Sequence, residues 1–258
     1  MRTRISPENP YRYDRWGFAW ECVEAGGLAH LDFGCNDGKF LNTLKEKNIW
    51  RLVGVDVSAE AIDRGKHRFG DLEIMHISQA TVLPFDDRVF DSITIMDVLE
   101  HVSRQSELLV ELNRVLKDDG RLIVTVPGRH IFSFLDMGNF KFRFPRLHKW
   151  YYRLGHSSEE YERRYVSNPD GLVGDISAEK RWHEHFSRRK LSDLLERGGF
   201  TVVSFDGTGF FRRLITPAEH FLRRLKPLMK VIRRLRDIDA RSFESANLFC
   251  VAEKRRDQ

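Results

Sequence analysis

The chain has 258 residues, 41% apolar and 31% charged, with a mean hydropathy of −0.46, a balance that excludes both a disordered chain and an integral membrane protein. That length fits one large domain, or one domain with a sizeable addition. Lys and Arg number 43 against 38 Asp and Glu, giving a net charge of +5 and a pI near 9.1, so nucleic acid, an anionic membrane or a phosphorylated substrate are all open as partners until the charge is located.

The N-terminal segment MRTRISPENPYRYDRWG has no apolar core of signal-peptide type, and no window reaches the roughly 18 apolar residues of a membrane span, so a cytoplasmic protein is expected. Residues 11–27 read as a helix ahead of the first strand, with Tyr11, Tyr13 and Trp16 as aromatics near any ligand there. Cys22, Cys35 and Cys250 are widely spaced and odd in number, which suggests neither a disulfide framework nor a metal site.

From Leu28 to Val126 short apolar runs alternate with helical stretches of mixed charge, the pattern of parallel βαβ units. The strand candidates are LAHLDF (28–33), RLVGVD (51–56), LEIMHI (72–77), FDSITIM (90–96) and GRLIVTV (120–126), nearly continuous in apolarity as a sheet covered on both faces requires. Between them one helix follows Gly38, with Phe40, Leu41 and Leu44 on a face, and another opens after Ser58 as N-cap. A third carries Leu108, Leu109, Leu112, Val115 and Leu116 up to a turn at Asp118-Asp119-Gly120. After about sixty aromatic-rich residues the rhythm resumes: Ser187 caps a helix that stops at Gly198-Gly199, FTVVSFD (200–206) follows, and ANLFCVAE (246–253) ends the series. The expectation is an α/β fold with a doubly wound, seven-stranded, mostly parallel sheet, its ligand at the carboxyl ends of the strands.

The first strand runs through Asp32-Phe33-Gly34-Cys35-Asn36-Asp37-Gly38 into a helix, a loop that brings backbone close to a ligand at a helix N-terminus. The second ends at Asp56, near the spacing at which an acidic side chain accepts hydrogen bonds from ribose hydroxyls. Residues 34–39 read GCNDGK, not the GxGxxG of a nicotinamide dehydrogenase.

Together these segments resemble the class I S-adenosylmethionine (SAM)-dependent methyltransferases, in particular the broad group that includes enzymes of ubiquinone and menaquinone biosynthesis. HLDFGCNDGKFL is similar to that family's first motif and VGVDVS to its acidic loop. The stretch from Ala80 through LPFDDRVFD matches the approach to strand four, MDVLEHV the segment after it, and DDGRLIVTVP strand five with its proline. HFSRRKLSDLLERGGFTVV resembles the later helix and strand six. The resemblance implies SAM as cofactor, with Asp32 and Gly34 lining its methionine portion, Gly38 giving the backbone room, Asp56 taking the ribose hydroxyls and Asp97 beside the methionine end. Val57 and Ala80 complete the expected cofactor set. Asn36 stands where the family usually has glycine, and Gln79 where an acid often accepts from the adenine amino group; a carboxamide oxygen accepts the same bond.

By this reading residues 1–126 are an N-terminal helix and the SAM-binding half, 127–186 a lid or substrate insertion, and 187–258 the rest of the domain, with a basic amphipathic helical insertion at 212–241. The lid segment interleaves Phe132, Phe134, Phe140, Phe142, Phe144, Trp150, Tyr151, Tyr152, Tyr161 and Tyr165 with Lys141, Arg143, Arg146, Lys149 and Arg153. That suits either a capping subdomain with its own core or a cover over an acceptor with apolar and anionic parts. In 212–241, Phe221, Leu225, Leu228, Ile232 and Leu235 share a helical stripe, and Pro227 opens a second helix. Such a helix packs on its own protein, lies at an anionic membrane's inner face, or pairs in a homodimer. Residues 1–126 are net −5, residues 127–190 net +5 and residues 212–241 net +7, so the basicity belongs to the insertions.

For an oxygen acceptor a general base helps, most often histidine. His130, His183 and His185 flank the lid; His101 belongs to the family motif. The expected acceptor is a small molecule, glycan or lipid intermediate. An RNA substrate lacks its usual Asn/Asp-Pro-Pro-Tyr/Phe tetrapeptide, since Asp97-Val98-Leu99-Glu100 follows strand four. A protein substrate and a non-catalytic SAM-binding module stay as alternatives.

Overall fold

The structure, a computed structural model, describes residues 14–130, 144–165, 184–211, 215, 226–242 and 246–255. Seven strands form one sheet: β1 (Ala29–Phe33), β2 (Arg51–Asp56), β3 (Glu73–His76), β4 (Phe90–Met96), β5 (Leu116–Pro127), β6 (Phe200–Thr208) and β7 (Asn247–Lys254), in the order β3-β2-β1-β4-β5-β7-β6. Pairing is parallel from β3 to β5, and β7 inserts antiparallel between β5 and β6. This is the expected doubly wound sheet, and its strand order reverses between β1 and β4, where such sheets bind ligands.

Helices α1 (Arg15–Cys22), α2 (Lys39–Thr43, continued by a 3-10 turn at Leu44–Lys47), α3 (Ala59–Arg68), α4 (Gln105–Val115) and α7 (Arg188–Arg197) cover the sheet. Their starts are legible in single side chains: Asp14 Oδ1 accepts from the Gly17 amide, Ser58 Oγ from Ala61 and Ser187 Oγ from Lys190. Period-2 alternation fills both faces. Leu122, Val124 and Val126 of β5 join the core under α4 and α7, while Ile123 joins Phe18, Phe40, Leu41 and Phe249 on the other side. Phe18 and Phe249 stack at 5.0 Å, each contributing roughly 1.5–3 kcal/mol by burial.

Several boundaries differ from expectation: α1 ends at Cys22 and not at residue 27, β6 runs on to Thr208, and β5 begins at Leu116. Leu116 opens β5 instead of closing α4, because it is buried and pairs with Phe90, while the register slips before Ser92 pairs with Arg121. Asp118-Asp119-Gly120 is therefore an irregular stretch of strand and not a turn between elements.

Just past β5, Gly128 bridges Phe186 in parallel, and Phe186 O accepts from the Arg129 amide at 2.8 Å. In between lie α5 (Pro145–Arg153) and α6 (Ser158–Tyr165), which share a small aromatic core: His148 Nδ1 lies 3.1 Å from Tyr161 Oη, and Tyr152 packs on both rings. Beyond β6, α8 (Lys226–Ser242) is tied down by Asp239, whose carboxylate accepts from the Phe211 amide, and by buried Ile232. Of the expected apolar stripe, Phe221 and Leu225 lie outside the described residues, and Leu228 and Leu235 are exposed. Among the described residues no helix is long and apolar enough to cross a membrane. Cys22, Cys35 and Cys250 are buried thiols.

Candidate functional site

The carboxyl ends of β1, β2, β3 and β4 bring together the loop 34–38, Asp56-Val57, Gln79-Ala80 and Asp97. The loop after β1 turns on three left-handed residues, Gly34 (φ 78°), Asn36 (φ 51°) and Gly38 (φ 73°). Asn36 tolerates this region better than most side chains, which is how the loop survives without a third glycine. Its amide donates to Asp56 Oδ2 at 2.8 Å, and the Ser58 amide donates to Asp56 Oδ1 at 2.8 Å, so Asp56 binds the first loop to the start of α3.

The two glycines serve different ends. A Cβ on Gly34 would sit 2.3 Å from Val98 Cγ2, whereas one on Gly38 would face Leu72 and Ile74 at 3.2 and 3.4 Å, toward β3. The Gly38 amide donates to Cys35 O at 2.9 Å inside the turn. Left-handed φ and packing on β3 thus account for Gly38 in addition to any close approach by a ligand. Gly34→Ala is expected to cost about 2–4 kcal/mol in denaturant unfolding, from backbone strain and the Val98 collision together. Val98→Ala should recover only the collision part.

Beneath the loop lies a polar stack that sequence reasoning missed. His30 and Asp32 of β1 pair in register with Ser92 and Thr94 of β4. His30 Nδ1 is 2.8 Å from Ser92 Oγ and its Nε2 3.1 Å from Thr94 Oγ1, and Thr94 Oγ1 donates to Asp32 Oδ1 at 2.8 Å. Since Thr94 gives its proton to Asp32, it accepts from His30 Nε2–H, which leaves Nδ1 to accept from Ser92. Burial holds the His30 ring neutral, its pKa lowered to about 3. Burial also lifts the Asp32 carboxyl to about 7, opposed by the Thr94 hydrogen bond and aided by the Asp56 charge. Asp32 Oδ2 is buried without a hydrogen-bond partner among the described residues. The signal was present as polar residues alternating in both strands, hidden by the reading of them as continuous apolar runs.

At the other end of the loop, Asp97 (φ 53°) accepts from Thr125 Oγ1 at 2.9 Å and from the Arg15 guanidinium. Arg15, on α1, was not anticipated; the charge of Asp97 is the largest cause holding it protonated. Trp16 instead packs on Phe40, with ring centroids 5.9 Å apart. Tyr11 and Tyr13 lie outside the described residues. Val57 and Gln79 are exposed at the ends of β2 and β3, and Ala80 is half-buried.

Of the candidate bases, His130 follows β5 and lies 5.6 Å from the Phe210 ring, while His185 precedes Phe186, whose bridge to Gly128 draws it to the same end of β5. His183 lies outside the described residues. His101 Nε2 is 3.9 Å from Glu100 Oε1 just after β4.

The ensemble defines a doubly wound α/β domain with a carboxylate-lined loop site at its topological switch point. A family model described as a methyltransferase domain matches residues 18–205. The demethylmenaquinone methyltransferase of Staphylococcus aureus is 30% identical over 143 residues, 53% of this chain and 58% of that protein. Among solved structures, an S-adenosylmethionine-dependent methyltransferase from Mesorhizobium loti aligns with TM-score 0.55 at 16% identity, covering 93% of this chain and 98% of that one. The [4+2]-cyclase SpnF aligns at TM-score 0.50 and 19% identity, covering 90% and 76%. These structural likenesses bear on the fold. The chain spans about 30–63% of the length of the curated relatives it matches. The chain belongs to the methyltransferase-domain family, and the cofactor that its motifs imply is S-adenosylmethionine.

The residues present fit that cofactor. It carries two cationic centres and a ribose diol, and the site offers an unpartnered buried carboxylate oxygen on Asp32 and a second carboxylate, Asp56, with lone pairs to spare. Arg15 would face the cofactor's own carboxylate, and the exposed isopropyl group of Val57 would give a purine an apolar wall.

Proposed function

We propose that the protein transfers the methyl group of SAM to an oxygen of a small-molecule, glycan or lipid-linked acceptor with anionic and apolar parts. The observation that carries the transfer is the gathering of Asp32, Asp56 and Asp97 around the left-handed loop at the sheet's carboxyl edge. The acceptor class is supported by the location of the charge: the cofactor half is net negative, and the insertions that open from the same edge are net positive.

The cofactor supplies an electrophilic methyl on a sulfonium. The chain's work is positioning, exclusion of water and custody of the acceptor's proton. His130 and His185, at the end of β5 where the insertion begins and ends, are the described candidates to take that proton as the oxygen–methyl bond forms. His130→Ala or His185→Ala, whichever is the base, is expected to lower kcat about 100-fold or more with SAM affinity unchanged. Full turnover in both single variants and the double variant would show that neither histidine takes the proton.

The proposal is tested by incubating the protein with methyl-labelled SAM and cell extract separated into small molecules, lipid, glycan, RNA and protein. Label in small molecules, lipid or glycan supports the acceptor class. Label in RNA or protein replaces it, and SAM binding without transfer to any fraction points to a module that shares the fold but not the reaction, as fold likeness to a cyclase allows.

A further inference from the structure

Helix α5 is turned inside out for a lid that covers a substrate with its aromatics. At about 100° per residue, His148 and Tyr152 point to one side and Leu147, Trp150 and Leu154 to the opposite one. His148 is buried against Tyr161, whereas Leu147, Trp150 and Leu154 are 49, 60 and 67% exposed. Arg146 and Arg153 flank this apolar face, both exposed and neither in an ion pair among the described residues. An open cleft of about 500 Å³ on the helix is bounded by Arg146, Lys149, Trp150, Arg153 and Leu154.

Helix α8 also shows apolar side chains to solvent, on a stripe that borders its packed face. Ile232 and Asp239 hold it to the end of β6, while Leu228, Val231, Leu235 and Ile238, spaced by three and four residues, form a stripe 38–54% exposed. Lys230 and Arg234 lie beside that stripe, exposed and without an ion pair among the described residues. Both helices belong to segments inserted at the carboxyl edge of the sheet, α5 after β5 and α8 after β6, and their roots meet where the His130 ring lies against Phe210.

We propose that α5 and α8 together form a surface that seats the protein on an anionic lipid bilayer, with Trp150 and the Leu/Val/Ile stripes in the acyl boundary and Arg146, Arg153, Lys230 and Arg234 among the headgroups. Outward apolar residues with a tryptophan, bordered by uncompensated cations, are the chemistry of an interfacial helix. Charge selects this occupant over a second copy, because two such faces in contact would oppose arginine to arginine. The breadth of the apolar face selects a lipid surface over a polyanion, which would leave it wet. The surface stands on this geometry alone. Its consequence, that the site mouth faces the bilayer and takes a lipid-anchored acceptor, rests on the proposed methyl transfer.

The experiment is flotation of the full chain with phosphatidylcholine vesicles and with phosphatidylcholine–phosphatidylglycerol vesicles, without SAM, so that its outcome is independent of methyl transfer. Partition into the anionic vesicles only, weakened about tenfold or more by high salt and by each of Trp150→Ser/Leu154→Ser, Arg146→Glu/Arg153→Glu and Leu235→Ser/Ile238→Ser, is the expected result. SAM affinity and melting temperature, unchanged in these exposed-surface variants, show that they remain folded. Absence from both vesicle types overturns the proposal, as does binding that none of the variants weakens. A dimer in light scattering that Trp150→Ser/Leu154→Ser dissociates, with no flotation, would assign the same face to self-association instead.

Discussion

Asp56→Ala is expected to raise the dissociation constant for SAM by about 100-fold or more in calorimetry, with the protein still folded. A carboxylate has about four acceptor positions. Two are taken by the amides of Asn36 and Ser58, each at 2.8 Å, which leaves up to two for a diol. Hydrogen bonds to a charged acceptor are worth roughly 1.5–3 kcal/mol each, and losing two gives that factor or more. A further loss comes from the loop, because the Asn36 amide would lose the partner that holds it in its left-handed conformation. Asp56→Asn keeps one acceptor oxygen and should fall between the two. An affinity within threefold of the parent in both variants would show that the ribose is held elsewhere.

Asp32→Asn should abolish a pH-dependent destabilisation of the cofactor-free protein. Burial raises the Asp32 carboxyl from 3.8 to about 7, so between those values the folded state holds a proton that the unfolded chain has released. Stability therefore falls as pH rises across this window and levels off above it. The full effect approaches ~4 kcal/mol at the usual conversion of pKa to free energy. The asparagine variant, whose neutral amide resembles the protonated acid in size, keeps the low-pH stability throughout. The melting-temperature difference, variant minus parent, should be near zero at pH 4 and grow to its maximum by about pH 8. SAM binding should show the converse: the parent gains affinity as Asp32 ionises through pH 7, while the variant binds at least tenfold more weakly at pH 8, with no such rise. A melting difference independent of pH would mean that Asp32 is ionised in the folded protein at all these values.

Much of the sheet could be read in one dimension because its signals are local. β2 and β4 run over the residues expected of them, and Ser58 and Ser187 cap the helices assigned to them, since a cap needs only the amides of the next turn. Leu116 was misplaced because its burial comes from pairing with Phe90, 26 positions earlier, which no helical period reveals. The loop residues Gly34, Asn36 and Gly38 and the acid Asp56 stood out by type and spacing. Arg15 did not, since its partner Asp97 is remote in sequence and only the packing of α1 across the sheet's edge brings them together.

The amino-acid order by itself determined the strand–helix alternation, the left-handed loop and the division of charge between an acidic cofactor half and basic insertions. Those properties depend on near neighbours and on composition. Only the tertiary structure decided which oxygen of Asp32 is left without a partner, that His30, Thr94 and Asp32 form one chain of hydrogen bonds, and that Trp150 and Leu154 face outward while His148 faces in. A helical period states that a helix has two faces. Which of them meets the protein and which meets its surroundings is settled by partners far along the chain, here Tyr161 for α5 and Phe211 for α8.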